Sequence, residues 1–266
     1  QYAIAKSVAI KYKKSFKLDL SDISPNSPFK YRLNMFNIKG VSACQHDINK
    51  MKGKNNFVGK ILRKFLGNVL YPFYHKEAER TIFDPSVFSN SDVYLDGYWQ
   101  NEAYFLDIRA SLLDDFSLKS DVSNNAKKYL EPITINNSVS LHVRRGDYSK
   151  HPEIGIMDIE YYKKAVEYIC KKIDKPVFYI FSNDINWCES NFTFIENKVF
   201  INDTENEIDD MFLMKNCSHN IVANSSFSWW AAWLNTNKQK TIISPLKWMA
   251  VNPKGHKWVP DSWLQF

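Results

Sequence analysis

An apolar, strand-like run from Ser138 to Val143 ends abruptly in Arg144, Arg145, Gly146 and Asp147. A guanidinium is always charged and presents a planar fork of donors that matches phosphate oxygens. At the end of a buried strand, such a pair reads as a diphosphate clamp; standing alone, it reads as a solvated surface feature. A second run, Asn224-Ser225-Ser226-Phe227-Ser228, places small hydroxyl residues between a strand end and a helix start. Backbone N–H groups at a helix N-terminus, with the helix dipole and serine hydroxyls, hold phosphate oxygens. Plain N-capping by Ser225, Ser226 or Ser228 is the alternative there. Metal chemistry is not expected, because no Asp-x-Asp occurs and the six histidines show no ligand spacing. Arginine and backbone donors must then neutralise a diphosphate.

These residues need elements to position them, and the second half of the chain alternates regularly. Strands are expected at Ser138–Val143, Val177–Phe181, Lys198–Ile201, Asn220–Ala223 and Thr241–Ile243, and helices at Glu160–Lys172, Glu205–Cys217 and Phe227–Thr236. Apolar strands between amphipathic helices predict a parallel, helix-covered α/β sheet. Ligands of such sheets bind beyond the carboxyl ends of the strands. Each expected strand end there carries a polar side chain: Arg144 and Asp147, Ser182 to Asp184, Asn202 and Asp203, Asn224 to Ser226, and Ser244. Trp229, Trp230 and Trp233 lie inside an alanine-rich helix and are expected to pack in the core.

The first half is less regular. A helix is expected over 2–14 with Tyr2, Ala5, Val8, Ala9 and Tyr12 on its apolar face, then a strand at Phe16–Leu20. A stretch with Pro25 and Pro28 follows, and Lys50 to Asn56 reads as a charged loop. Tyr94 to Glu102 reads as a strand leading into a helix through Ala110. The polar segment Ser123–Asn137 marks a boundary, giving domains 1–130 and 131–266. The opening helix has no capping residue, which predicts a natural chain beginning about fifteen to thirty residues earlier, one βα unit.

The 266-residue chain carries a formal charge of +6, which suits an anionic small ligand or an acidic membrane surface. No basic tract is long enough to suggest nucleic acid; Lys11, Lys13 and Lys14 read as a solvated helix end. Cys44, Cys170, Cys188 and Cys217 show no paired spacing, so a reduced, cytoplasmic protein is expected. Two of the five Asn-x-Ser/Thr sequons fall in the most buried-looking region, where a glycan would block folding. No apolar run is long enough to span a bilayer.

The motifs His142-Val-Arg-Arg-Gly-Asp-Tyr148, Phe181-Ser-Asn-Asp-Ile-Asn-Trp187 and Asn224-Ser-Ser-Phe-Ser-Trp-Trp-Ala-Ala-Trp-Leu234 resemble those of bacterial α-1,2-fucosyltransferases of glycosyltransferase family 11. Gly97-Tyr-Trp-Gln-Asn-Glu-Ala-Tyr-Phe105 and Gln1-Tyr-Ala-Ile-Ala-Lys6 are similar to further segments of that family. The resemblance implies a GT-B-like fold of two Rossmann-like lobes with parallel sheets, the N-terminal lobe on the acceptor side and the C-terminal lobe holding GDP-fucose. It implies inverting, metal-independent transfer of L-fucose from GDP-β-L-fucose to the 2-hydroxyl of a galactosyl residue in a glycan, with no cofactor. Contact with the inner face of the bacterial membrane is a further expectation. Arg144 would bind the diphosphate with Arg145, Asn224, Ser225 and Ser226 around it, while His142 and Asp210 would contact guanine. For Asp210 the alternative is an exposed helical acid beside Asp209. The family's glycine-rich loop does not precede Gln1 here, and Asn183 stands where an aspartate is common.

Inverting transfer builds charge on the departing diphosphate, which Arg144 is suited to stabilise. Asp147 is the candidate base on the same loop. Two neighbouring arginines would depress its pKa, so orienting Arg144 or Arg145 is its alternative role. A same-fold transferase using another GDP-sugar, and a silent nucleotide- or glycan-binding protein, are the competing functions.

Overall fold

The computed structural model describes residues 1–23, 30–54, 56–59, 61–62, 70–251 and 255–266. Pro25 and Pro28 lie outside the described residues. The chain forms two units: Gln1–Lys119 with Gly255–Trp258, and Ser120–Lys254 with Val259–Phe266. The division falls upstream of the expected 130, because the polar segment expected to separate the domains is a helix of the second unit.

In the first unit, α1 (Tyr2–Tyr12) buries Tyr2, Ala3, Ile4, Val8 and Ala9. It also buries Lys6, a cation the apolar spacing does not anticipate. Lys6 is tied to Asp115, which also accepts from the Tyr2 hydroxyl. Two small parallel sheets follow, β1 (Lys17–Leu18) with β2 (Val41–Ser42) and β3 (Tyr74–Lys76) with β4 (Tyr94–Asp96). Helix α2 (Gln45–Lys52) runs into the segment expected to be a charged loop. After β4, short 3₁₀ turns at Glu102–Tyr104 and Leu106–Ile108 lead into α3 (Arg109–Asp115).

In the second unit, α4 (Asn124–Ile135) precedes β5 (Ser138–Val143), α5 (Ile159–Lys172), β6 (Val177–Ser182) and α6 (Ile185–Asn191). Then come β7 (Lys198–Ile201), α7 (Glu207–Asn216), β8 (His219–Ile221), α8 (Ser226–Trp233), β9 (Ile242–Ser244) and β10 (Leu264–Gln265). The six strands form one parallel sheet in the order β10-β9-β8-β5-β6-β7. From β5 the chain winds outward through β6 to β7, then crosses back to β8 on the other side of β5. The order therefore reverses between β5 and β8, and open α/β sheets bind ligands at that point.

Side chains alternate across a strand, so the two faces of β5 differ. Val139, Leu141 and Val143 join Phe178, Ile180, Ile221 and Ile243 in a core with Tyr162, Ala165 and Ile169 of α5. The opposite face carries Ser138, Ser140 and His142, all buried. Ser138 donates to Ile133 O of α4 at 2.6 Å. Asn220 Nδ2 donates to Ser140 Oγ at 2.7 Å and to Met214 O of α7 at 2.8 Å, and Asn235 Nδ2 donates to Asn220 Oδ1 at 2.8 Å. Trp229 and Trp233 are buried within α8 with their rings stacked, in line with core packing. Among the described residues, no helix is long and apolar enough to cross a membrane.

Candidate active site

Strand β5 ends at Val143, and the chain turns through Arg144 to a 3₁₀ turn at Asp147–Lys150. Arg144 Nη2 donates to Asp147 Oδ2 at 2.8 Å, and its Nε lies 2.8 Å from Oδ1. The Nε approach is off the N–H direction and makes no hydrogen bond, so the Nη2 bond fixes the fork. Arg145 points elsewhere: its guanidinium lies 4.0 Å over the Trp187 ring and its Nε 3.5 Å from Asp184. Asn183, at the end of β6, pins this loop from below. Its Oδ1 accepts the Arg145 backbone N–H at 3.0 Å and its Nδ2 donates to Asp147 Oδ1 at 3.2 Å. A Cβ at Gly146 would sit 2.8 Å from Asn183 Nδ2 and would displace the amide that bonds Asp147.

Across the reversal point, β8 leads to Asn224 and Ser225. Asn224 is buried, and its Nδ2 reaches Ile154 O at 3.3 Å, Gly155 O at 3.1 Å and Trp248 O at 3.1 Å. Ser225 caps α8, its Oγ accepting from the Phe227 N–H at 3.3 Å. Ser226 is exposed at the first turn, where every helix has N–H groups without an intrahelical partner. Tyr148 joins the two sides: its hydroxyl donates to Asn224 O at 3.4 Å, and Arg144 lies 5.7 Å over its ring.

His142 is 4 % exposed and its ring lies 5.6 Å from that of Phe227, so it stands beside the start of α8. Burial, aided by the Arg144 charge, pushes its pKa down to about 3, which keeps the imidazole neutral. Its Nδ1 is buried with no hydrogen-bond partner. Asp210 lies in the first turn of α7 and accepts from Thr204 Oγ1 at 2.7 Å. Burial, with Asp209 and Glu207 nearby, raises its carboxyl to about 6 against the Thr204 hydrogen bond. Asp209 is instead buried structure, accepting from Ser123 N at 3.1 Å and Asn206 Nδ2 at 3.3 Å. Partial burial would raise the Asp147 pKa, but the Arg144 hydrogen bond and charge and the Asn183 amide outweigh it, so Asp147 stays below the usual carboxylate range.

The rim is narrower than the strand ends suggest. Asp203 is tied to Lys128 and Tyr129 of α4, and Ser244 is buried with its Oγ donating to Leu264 O at 3.4 Å. What remains comes from the ends of β5, β6 and β8, with Asp210 and Thr204 from the segment after β7. Asn183, named in the sequence only as one of several rim residues, supports it, as do Tyr148, signalled by its place next to Asp147, and Thr204, which carried no local signal.

The family model for glycosyl transferase family 11 matches residues 10–254. The chain belongs to glycosyltransferase family 11. It is 39% identical over 177 residues to an O-antigen biosynthesis glycosyltransferase, WbnK, of Escherichia coli, covering 63% of this chain and 58% of that protein. It is 31% identical over 276 residues to an α-1,2-colitosyltransferase of Escherichia coli, covering 97% and 93%. A galactoside α-(1,2)-fucosyltransferase 2 of Bos taurus is 30% identical over 225 residues, covering 74% and 65%. Among solved structures, the NodZ α-1,6-fucosyltransferase soaked with GDP-fucose matches with a TM-score of 0.50 at 14% identity, over 88% of this chain and 86% of that one. That likeness gives the fold, which is GT-B.

Proposed function

We propose that this family 11 enzyme transfers L-fucose from GDP-β-L-fucose to the 2-hydroxyl of a galactosyl residue in a glycan, with inversion and without a metal. The observation that carries the reading is that the Arg144 fork and the Ser225-capped start of α8 follow the adjacent strands β5 and β8 at the reversal point, with Tyr148 under the fork and bonded to Asn224 O. A diphosphate between them meets a charged fork on one side and a helix N-terminus on the other. Arg145 lends charge beside the fork, and Asn224 acts through the loop it anchors. His142 and Asp210 face the guanine on this reading, the carboxylate accepting the base's ring N–H and exocyclic amine.

As the acceptor hydroxyl attacks C1 of the sugar, the bond to GDP breaks on the opposite side. The negative charge gathers on the diphosphate, where preorganised donors stabilise it. Asp147 serves this step by holding Arg144. Its lowered pKa and its ion pair make it a weak base, and the acceptor proton passes to the departing diphosphate or to water.

A second reading, a colitosyl donor, is supported by the 97% coverage of the colitosyltransferase match. The experiment is GDP release from fucosyl and colitosyl nucleotide donors, with and without a galactoside, in excess chelator. Acceptor-dependent release from the fucosyl donor is expected. Preference for the colitosyl donor moves the assignment to the second reading. No release from either donor, with GDP still bound, makes the protein a binder. Activity lost to chelator and restored by manganese overturns the arginine-only account.

A further inference from the structure

In the first unit, the stretch between Asp47 and Glu77 holds seven Lys or Arg and no Asp or Glu. Of the chain's 35 Lys and Arg, the other 28 stand against all 29 of its acids, so the formal charge of +6 is concentrated here. Lys52 is buried and pairs with Asp19 at 2.7 Å, whereas Lys50 and Lys54 are exposed. The same stretch exposes apolar side chains. Helix α2 ends at Gly53, whose left-handed φ of 73° and missing Cβ let the Tyr71 ring lie against it. The chain thus leaves the end of α2 and returns to it. It is helical again over 57–59 and 61–62. Gly59 is buried, and its N–H donates to Asn56 Oδ1 at 2.8 Å. Phe57 and Ile61, two positions away in either direction, lie about 200° around the helix from it. Phe57 is 78 % exposed, Val58 60 % and Ile61 41 %, and Leu70 and Phe73 are exposed where the chain returns.

Apolar side chains scattered singly over a surface are ordinary. Three on adjoining turns, inside a stretch of one charge sign, mark a surface that meets something. A second copy of the chain would set two stretches of like charge face to face. A nucleic acid would use the cations and leave the aliphatic side chains in water. An anionic bilayer takes both, offering phosphates to Lys and Arg and the acyl boundary to Phe, Val and Ile. We propose that Phe57, Val58 and Ile61, with the basic stretch around them, dock this chain on an anionic lipid surface. The apolar side chains enter the headgroup boundary while the cations stay at the level of the lipid phosphates.

The test is co-sedimentation of the full chain with vesicles of phosphatidylglycerol and phosphatidylethanolamine, beside vesicles of phosphatidylcholine alone. Binding to the first kind and not the second is expected, weakening as sodium chloride rises from about 0.1 to 0.5 M. Phe57→Ser together with Val58→Ser should weaken binding at least about tenfold. Lys50→Gln together with Lys54→Gln should weaken it about fivefold for each cation removed. All four side chains are exposed, so thermal melting should not move. No binding to the anionic vesicles, equal binding to both kinds, or binding indifferent to either double variant overturns the proposal. Self-association that the Phe57 and Val58 changes disperse, without vesicle binding, also overturns it and gives the face to a second copy.

Discussion

The two faces of β5 run side by side along six residues and do different work. Val139, Leu141 and Val143 meet α5 across an apolar seam that contributes stability by burying surface. Ser138, Ser140 and His142 meet α4, α7 and α8 across a buried polar layer. That layer is hydrogen-bonded at Ser138, Ser140, Asn220 and Asn235, which fixes how the helices sit on the sheet. Its one open group, His142 Nδ1, lies at the carboxyl end beside the reversal point. Saturation along the layer and an unmet group at its end mark where the scaffold stops and the site begins.

Substitutions on each face can break or sharpen this division. Arg144→Lys keeps the charge but loses the fork, so transfer should fall about a hundredfold to a thousandfold, roughly 3–4 kcal/mol. Thermal melting should not move, because the arginine follows the strand and does not fill its core. Leu141→Ala, on the apolar face, should do the reverse. Unfolding in denaturant should lose about 3 kcal/mol while GDP affinity of the folded fraction is unchanged; a large loss of affinity would show that the faces are not separable.

Asp147→Asn removes the charged partner of Arg144 and should weaken both transfer and GDP binding about tenfold, one charge-assisted hydrogen bond. A loss in turnover with GDP affinity intact would instead make Asp147 the base.

Asp210 carries the pH prediction. If its ionised form accepts from the base, GDP affinity should fall about tenfold as pH drops from roughly 7 to 5, through its pKa of about 6. In Asp210→Asn that dependence should vanish. The folded state holds this proton where the unfolded chain, at the ordinary 3.8, has lost it. Stability should therefore decline as pH rises from about 4 to 6, and less so in the Asn variant. Arg145→Lys should have the smallest effect, within about 1 kcal/mol, because Arg145 stacks on Trp187. A larger loss there than at Arg144 would exchange the roles of the two arginines.

The apolar face was legible because its pattern is local. Ser138–Val143 and Lys198–Ile201 coincide with the expected strands, and the helix at Ile159–Lys172 differs from expectation by one residue. Helix α4 was not legible, since it buries only Ala126 and Ile133 and carries Pro132 inside. Its cap at Ser123 is fixed by Asp209, 86 positions away, which no local pattern reveals. Helix α6 is seven residues long and buries Cys188 alone, too little for a period. Strand β10 pairs only Leu264 and Gln265 with β9. The arginine pair and the serine run stood out by residue type. The division between Arg144 on Asp147 and Arg145 on Trp187 is a matter of side-chain direction, set by Asn183.

Asn224 adds a consequence beyond its own contacts. One amide grips three carbonyls from two stretches, Ile154–Gly155 and Trp248, that are remote from it in sequence. The loops flanking the start of α8 thus lose their freedom when the chain folds and not when a ligand arrives. Ordering mobile loops is one of the main penalties of association, and here it falls on folding. A ligand arriving there would meet these loops already placed.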